Sequence, residues 1–106
     1  MNEYDHTYLR IMLREARQAR KFLQGRSYTD LRTDDLLSHA VVHAIKIIDV
    51  TGTKVSIKMR SQHPQIDWGN RIDQEYDKID LDIAWEIVNC NLPKLIVELE
   101  RILLPE

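Results

Sequence analysis

Between Trp85 and Ile102 the large apolar residues fall at Trp85, Val88, Leu92, Leu95, Leu99 and Ile102, in alternating steps of three and four. That spacing follows the 3.6-residue turn of an α-helix and fits no strand, whose side chains alternate with period two. Ile96 and Leu103 widen the stripe. A stripe this regular must lie against a core or another helix. Asp80 is placed to cap the helix, and Pro93 is expected to kink it or to begin a second segment. Trp85 and Cys90 read as packing residues.

The same period recurs twice upstream. Tyr8, Met12, Ala16, Ala19 and Leu23 line one face of a helix expected over about Asp5 to Gly25, with Gly25 as its stop. Arg10, Arg14, Arg17 and Lys21 lie nearly opposite. Such a stripe is either the solvated side of the helix or a surface for phosphates. A second long helix is expected from Asp34, with Thr29 or Thr33 as cap and Asp34 and Asp35 at its positive end. Its stripe is Leu37, Ala40, Val41, Ala44, Ile47, Ile48 and Thr51. Gly52 and Thr53 weaken it, but the pattern can continue to about Arg60 before His63-Pro64 ends it. His39 and His43 have the spacing of two metal ligands, yet no third ligand or paired cysteine accompanies them, so they read as an exposed pair and no metal is expected.

With only three glycines and three prolines in 106 residues, little interrupts these helices, and 43% apolar content suffices for one core. The expectation is an all-α, up-and-down helical bundle of four to five helices forming one domain over residues 1–106. The single cysteine, Cys90, fits a reducing compartment, and no apolar run approaches a membrane span. The chain is therefore expected to be cytoplasmic, with no membrane contact. Its net charge of −2 conceals an asymmetry: the first 32 residues hold seven bases against four acids, whereas residues 70–106 hold four against nine. A basic front of this kind suits self-association or a nucleic acid met by one face. No glycine-rich phosphate loop, internal repeat or Ser/His/Asp arrangement is present.

The order of features resembles the HepT-like toxins of the HEPN superfamily. Asp5–Leu9 is similar to the family's D-x-x-Y-L start, and Tyr28 stands in a segment loosely similar to F/Y-x-x-D. IKIID and the KVS pair resemble its long second helix. HPQIDW resembles the H-P-x-I-x-W turn, and YDKIDLDIAWEIVNCNLPKLIVELERIL the closing Y-x-x-x-D-x-x-x-x-W…L-P-x-L helix. The resemblance covers nearly the whole chain. It implies a homodimeric, metal-independent endoribonuclease without cofactor. Its partner would be a minimal nucleotidyltransferase antitoxin of MntA type, and its substrate RNA, as tRNA or mRNA. On that resemblance Arg10, Arg14, Arg17 and Lys21 become candidates for RNA contact.

The family's chemistry rests on R-x4-6-H followed by tyrosine. Histidine can move the 2′-OH proton near neutral pH, and arginine offers a forked charge to the phosphate. Here the pattern departs. Asn70 aligns with the motif's asparagine, or else Arg71 with its arginine; in either alignment Gln74 stands where the histidine belongs, two residues before Tyr76. No histidine follows His63. Glutamine cannot exchange a proton near pH 7. The Trp68–Tyr76 interval is also shorter by about six residues, which as helix removes about 9 Å and turns the remainder by about 240°. Catalysis is thus expected to be impaired, leaving Arg71 and Asn70 as remnant site residues. The resemblance makes Tyr76 the acceptor of AMP from the antitoxin, a charge that would repel RNA. The alternative is a non-catalytic HEPN dimer that holds the nucleotidyltransferase.

Overall fold

A computed structural model describes residues 1–68 and 80–104. Helix α1 spans Glu3–Leu23, α2 Tyr28–Thr33, α3 Asp35–Lys54 and α4 Ile57–Gln62. After the interval come α5, Leu81–Glu86, a π turn, Ile87–Asn91, and α6, Leu92–Leu103, which run on as one rod. No strand occurs among the described residues, so the all-α bundle expected from the periodicity is the one that forms. The start of α1 meets the end of α3 through Asp5 and Ser56, and its later turns meet α6 through Arg17 and Glu100. Helices α1 and α3 therefore run antiparallel, as an up-and-down bundle requires.

The ends of the helices are set by local chemistry. Asn2 caps α1 by accepting the Asp5 N–H at 2.7 Å, which carries the helix two residues upstream of its expected start. Gly25, at φ 75°, takes the left-handed conformation just beyond the C-cap, as expected of a helix stop. Neither Thr29 nor Thr33 is a cap. Ser27 closes a capping box with Asp30 at the start of α2, and Asp34 caps α3 through the Leu37 N–H. Asp80 caps α5 as expected.

One expectation about helix length changes. Helix α3 does not continue to Arg60: it stops at Lys54, Val55 is extended, and Ser56 caps the separate α4. The break is held from elsewhere in the chain. The carboxylate of Asp5, only 3% exposed, accepts the Ser56 N–H at 2.8 Å and its hydroxyl at 2.6 Å. At Pro93 a new segment begins, as expected: α6 starts at Leu92 with Pro93 in its first turn, continuous in sequence with the π turn before it. Proline lacks the N–H that an α-helix would offer to Asn89, and the turn before it widens, Leu92 donating five residues back to Ile87.

The buried faces lie slightly rotated from the periodic stripes. On α1 the core takes Leu9, Met12, Leu13, Ala16, Ala19 and Leu23, while Tyr8 is half-buried. On α3 it takes Ile45 and Asp49 along with Leu37, Val41, Ala44 and Ile48, while Ala40 and Ile47 are half-buried. In the closing rod Ala84, Ile87, Val88, Leu92, Leu95 and Leu99 are buried. Trp85 is only half-buried and Cys90 is exposed, so Cys90 does not pack. Leu95 is used inside the fold and is no part of an exposed seam.

Candidate nucleic-acid interface

The turn HPQIDW is built on its own hydrogen bonds and on α3. Trp68 Nε1–H donates to the His63 carbonyl at 3.0 Å, the Ile66 N–H donates to the same carbonyl at 3.2 Å, and Ile66 is buried. Beneath it, Gly52 lets the Trp68 backbone approach so closely that a Cβ there would lie 2.6 Å from the Trp68 oxygen. The glycine that weakens α3 as a helix is thus the seat of the turn. On the far side of the interval, Asp80 anchors α5. Residues 69–79 lie between these two anchors, so Asn70, Arg71, Gln74 and Tyr76 fall outside the described residues.

The cationic stripe of α1 is described in full. Arg10, Arg14, Arg17 and Lys21 are all exposed. Two grooves divide the stripe and share Arg17. The first, about 550 Å³, carries His6, Arg10, Arg14 and Arg17. The second, about 670 Å³, lies between the C-terminal half of α1 and the closing rod, and carries Arg17, Arg20, Lys21, Arg26, Trp85 and Asn89. No acidic side chain is among the described residues lining either groove.

The four bases of the second groove differ in how far they are neutralised. Arg17 pairs with Glu100 at 2.6 Å. Arg26 is held by Asp34 at 2.9 Å and Asp30 at 3.4 Å. The hydrogen bond that Arg26 donates to Asp34 raises the Arg26 pKa above its ordinary value. Asp30 is lowered chiefly by the Ser27 backbone N–H and Asp34 by that of Leu37. Among the described residues Arg20 meets neutral acceptors, the Val88 carbonyl and Asn89 Oδ1, each at 3.4 Å. Lys21 carries no ion pair among the described residues. The positive charge of the groove therefore resides mainly on Arg20 and Lys21.

One aromatic side chain, Trp85, lines the groove, with Tyr28 packed behind it. Trp85 meets Tyr28 edge-on at 5.8 Å, Arg32 sits 5.8 Å from the Tyr28 ring centre, and the Tyr28 hydroxyl hydrogen-bonds Asp82. The stripe pattern missed Arg20, which lies about 90° round the helix from the stripe's axis; Trp85, read as a packing residue, does pack, half-buried against the core and edge-on to Tyr28. Nothing in the local sequence marked Asn89, which lies exposed within the π turn. His39 and His43 are exposed, His39 Nδ1 lying 2.7 Å from the Asp35 carbonyl oxygen. No cluster of three potential metal ligands occurs among the described residues, and no helix there is long and apolar enough to cross a membrane.

Comparison with known proteins adds a family and several relatives. The family model described as "Ribonuclease HepT-like" matches residues 12–102. A candidate RNase of Caldanaerobacter subterraneus subsp. tengcongensis is 25% identical over 105 residues, covering 93% of this chain and 94% of the relative. A candidate RNase of Methanocaldococcus jannaschii is 24% identical over 99 residues, covering 88% and 91%. A second protein of that organism, named as a gamma-glutamylcyclotransferase and candidate RNase, is 24% identical over 102 residues. That match covers 91% of this chain but spans only 46% of the larger relative. No solved structure matches.

Proposed function

The chain belongs to the HepT-like ribonuclease family, and from that premise we propose that it is the toxin-type member of a toxin–antitoxin pair, directed at RNA, in which cleavage is weakened or lost. The observation that carries the reading is the sequence between the two anchors at Trp68 and Asp80. The flanks keep the family's pattern, yet the interval holds Gln74 in place of histidine and no histidine follows His63. Without metal, a 2′-OH attack on phosphorus needs a group that gives and takes a proton near neutral pH. Arg71 and Asn70 can bind and orient a phosphate but cannot replace that group.

The partner in this reading is a nucleotidyltransferase of MntA type, with Tyr76 as the acceptor of AMP. The added charge would oppose RNA phosphates. The toxin would act in the cytoplasm as a homodimer, one domain per chain. Leu36, His43 and Val50 support the dimer: they recur every seven residues along α3 and are exposed, Leu36 by 82%. The exposure of that seam also keeps open the second reading, a non-catalytic dimer whose task is to hold the nucleotidyltransferase.

Incubation of the purified chain with total tRNA and with mRNA tests the proposal. Little or no cleavage is expected, and Gln74→His alone should not restore it, because the interval remains short. Brisk cutting by the native chain, surviving Gln74→Ala and Arg71→Ala, would place the chemistry elsewhere. Recovery by Gln74→His would show that the shortening is harmless.

A further inference from the structure

We infer that the groove between α1 and the closing rod is a binding site for single-stranded RNA, separate from the interval that holds the family motif. The inference rests on the RNA-directed reading above and extends it to a surface built entirely from described residues. Two features point to a nucleic acid and not merely to an anion. Arg20 and Lys21 keep their charge, since Arg20 is held by neutral acceptors and Lys21 is unpaired among the described residues. A half-buried indole, Trp85, and a side-chain amide, Asn89, line the same groove. Cations beside an aromatic ring are what an unstacked base and its phosphate require.

The groove is assembled by the π turn. Asn89, exposed within it, accepts from Arg20 and donates through Nδ2 to the Trp85 carbonyl at 2.9 Å. One amide thus links the cation to the backbone of the residue that carries the indole. Arg17 belongs to both grooves, so the neighbouring one, with Arg10 and Arg14, continues the track along α1. From Arg10 to Lys21 the helix rises about 17 Å, enough for a few nucleotides. A duplex would present the phosphates but keep its bases stacked inside, out of reach of Trp85. A single strand satisfies both features.

The test is fluorescence anisotropy of a labelled oligouridine of about twelve nucleotides, read between about 50 and 200 mM salt. Three phosphate contacts predict a log–log salt slope of about −2. Removing two of them in Arg20→Gln/Lys21→Gln should leave a slope of about −0.7 and weaken binding about tenfold or more at low salt. Trp85→Leu should also weaken binding about tenfold. Because Trp85 packs on Tyr28, a second readout avoids altering it: in Trp68→Phe the remaining tryptophan fluorescence should be quenched by oligouridine. Duplex RNA of equal length should bind more weakly.

Native binding that these variants leave intact, but that Arg71→Gln abolishes, would overturn the groove and leave the RNA-directed reading standing. No oligouridine binding by the native chain even at low salt would overturn both. Displacement by polyglutamate as readily as by unlabelled oligouridine of equal charge would overturn it in favour of an acidic protein partner.

Discussion

Replacing Gly52 with alanine sets two physical effects against each other. Gly52 lies in α3, three residues before its C-cap at Val55. Judged by helix propensity, alanine should gain up to about 1 kcal/mol, and less near a helix end. The packing predicts the opposite sign. An added Cβ would sit 2.6 Å from the Trp68 oxygen and 2.9 Å from its carbonyl carbon, whereas real Cβ contacts stay beyond 3.0 Å. The Trp68 oxygen must therefore retreat by at least 0.4 Å, the difference between 2.6 and 3.0 Å. The atoms in the way are backbone, in a turn tied by the indole–His63 hydrogen bond and by buried Ile66, and no flexible side chain can yield instead. Overpacking of this kind costs about 1–3 kcal/mol. The expected net is a destabilisation of about 1–2 kcal/mol, seen as a urea midpoint lowered by roughly 1 M. The Trp68 indole N–H should also exchange faster with solvent. A variant as stable as the native chain or more so, with that indole equally protected, would refute the close approach and the anchoring of the motif interval on α3.

Asp5→Ala removes the acceptor of both the Ser56 N–H and its hydroxyl in a buried site, and should cost about 2–4 kcal/mol in urea denaturation. Ser56→Ala keeps the backbone bond and loses the cap of α4, so about 1–2 kcal/mol is expected; equal costs would contradict this division. Stability should also depend on the cluster of Arg26, Asp30 and Asp34. Both carboxyl pKa values are lowered from 3.8 in the folded chain, so their contribution is present above that value and lost as pH falls below it. Thermal melts from about pH 5 downwards should therefore fall less steeply in Asp30→Asn/Asp34→Asn than in the native chain, and parallel curves would count against the cluster.

The sequence by itself determined the class of fold, because apolar residues three and four apart can bury one face only as helices. It also placed the stops that depend on nearby chemistry: Gly25 with its left-handed backbone, Asp80 as a cap, and Pro93 at the start of a second segment. The motif-bearing turns, with the missing histidine between them, were legible for the same reason. What depends on partners distant in the chain was not. Periodicity gives a repeat but not which edge of a broad face meets a neighbour, so Leu9 and Leu13 displaced Tyr8 from the core only once α1 was packed between α3 and α6. The break after Lys54 required an acceptor on Asp5, 51 residues from Ser56. Gly52 acquired its role only when Trp68 came to lie over it. The RNA groove is the extreme case, since Arg20 and Asn89 are 69 residues apart and no local pattern can place them side by side. Local chemistry sets where helices begin, end and change type, whereas the faces they share, and the sites between those faces, exist only after they pack.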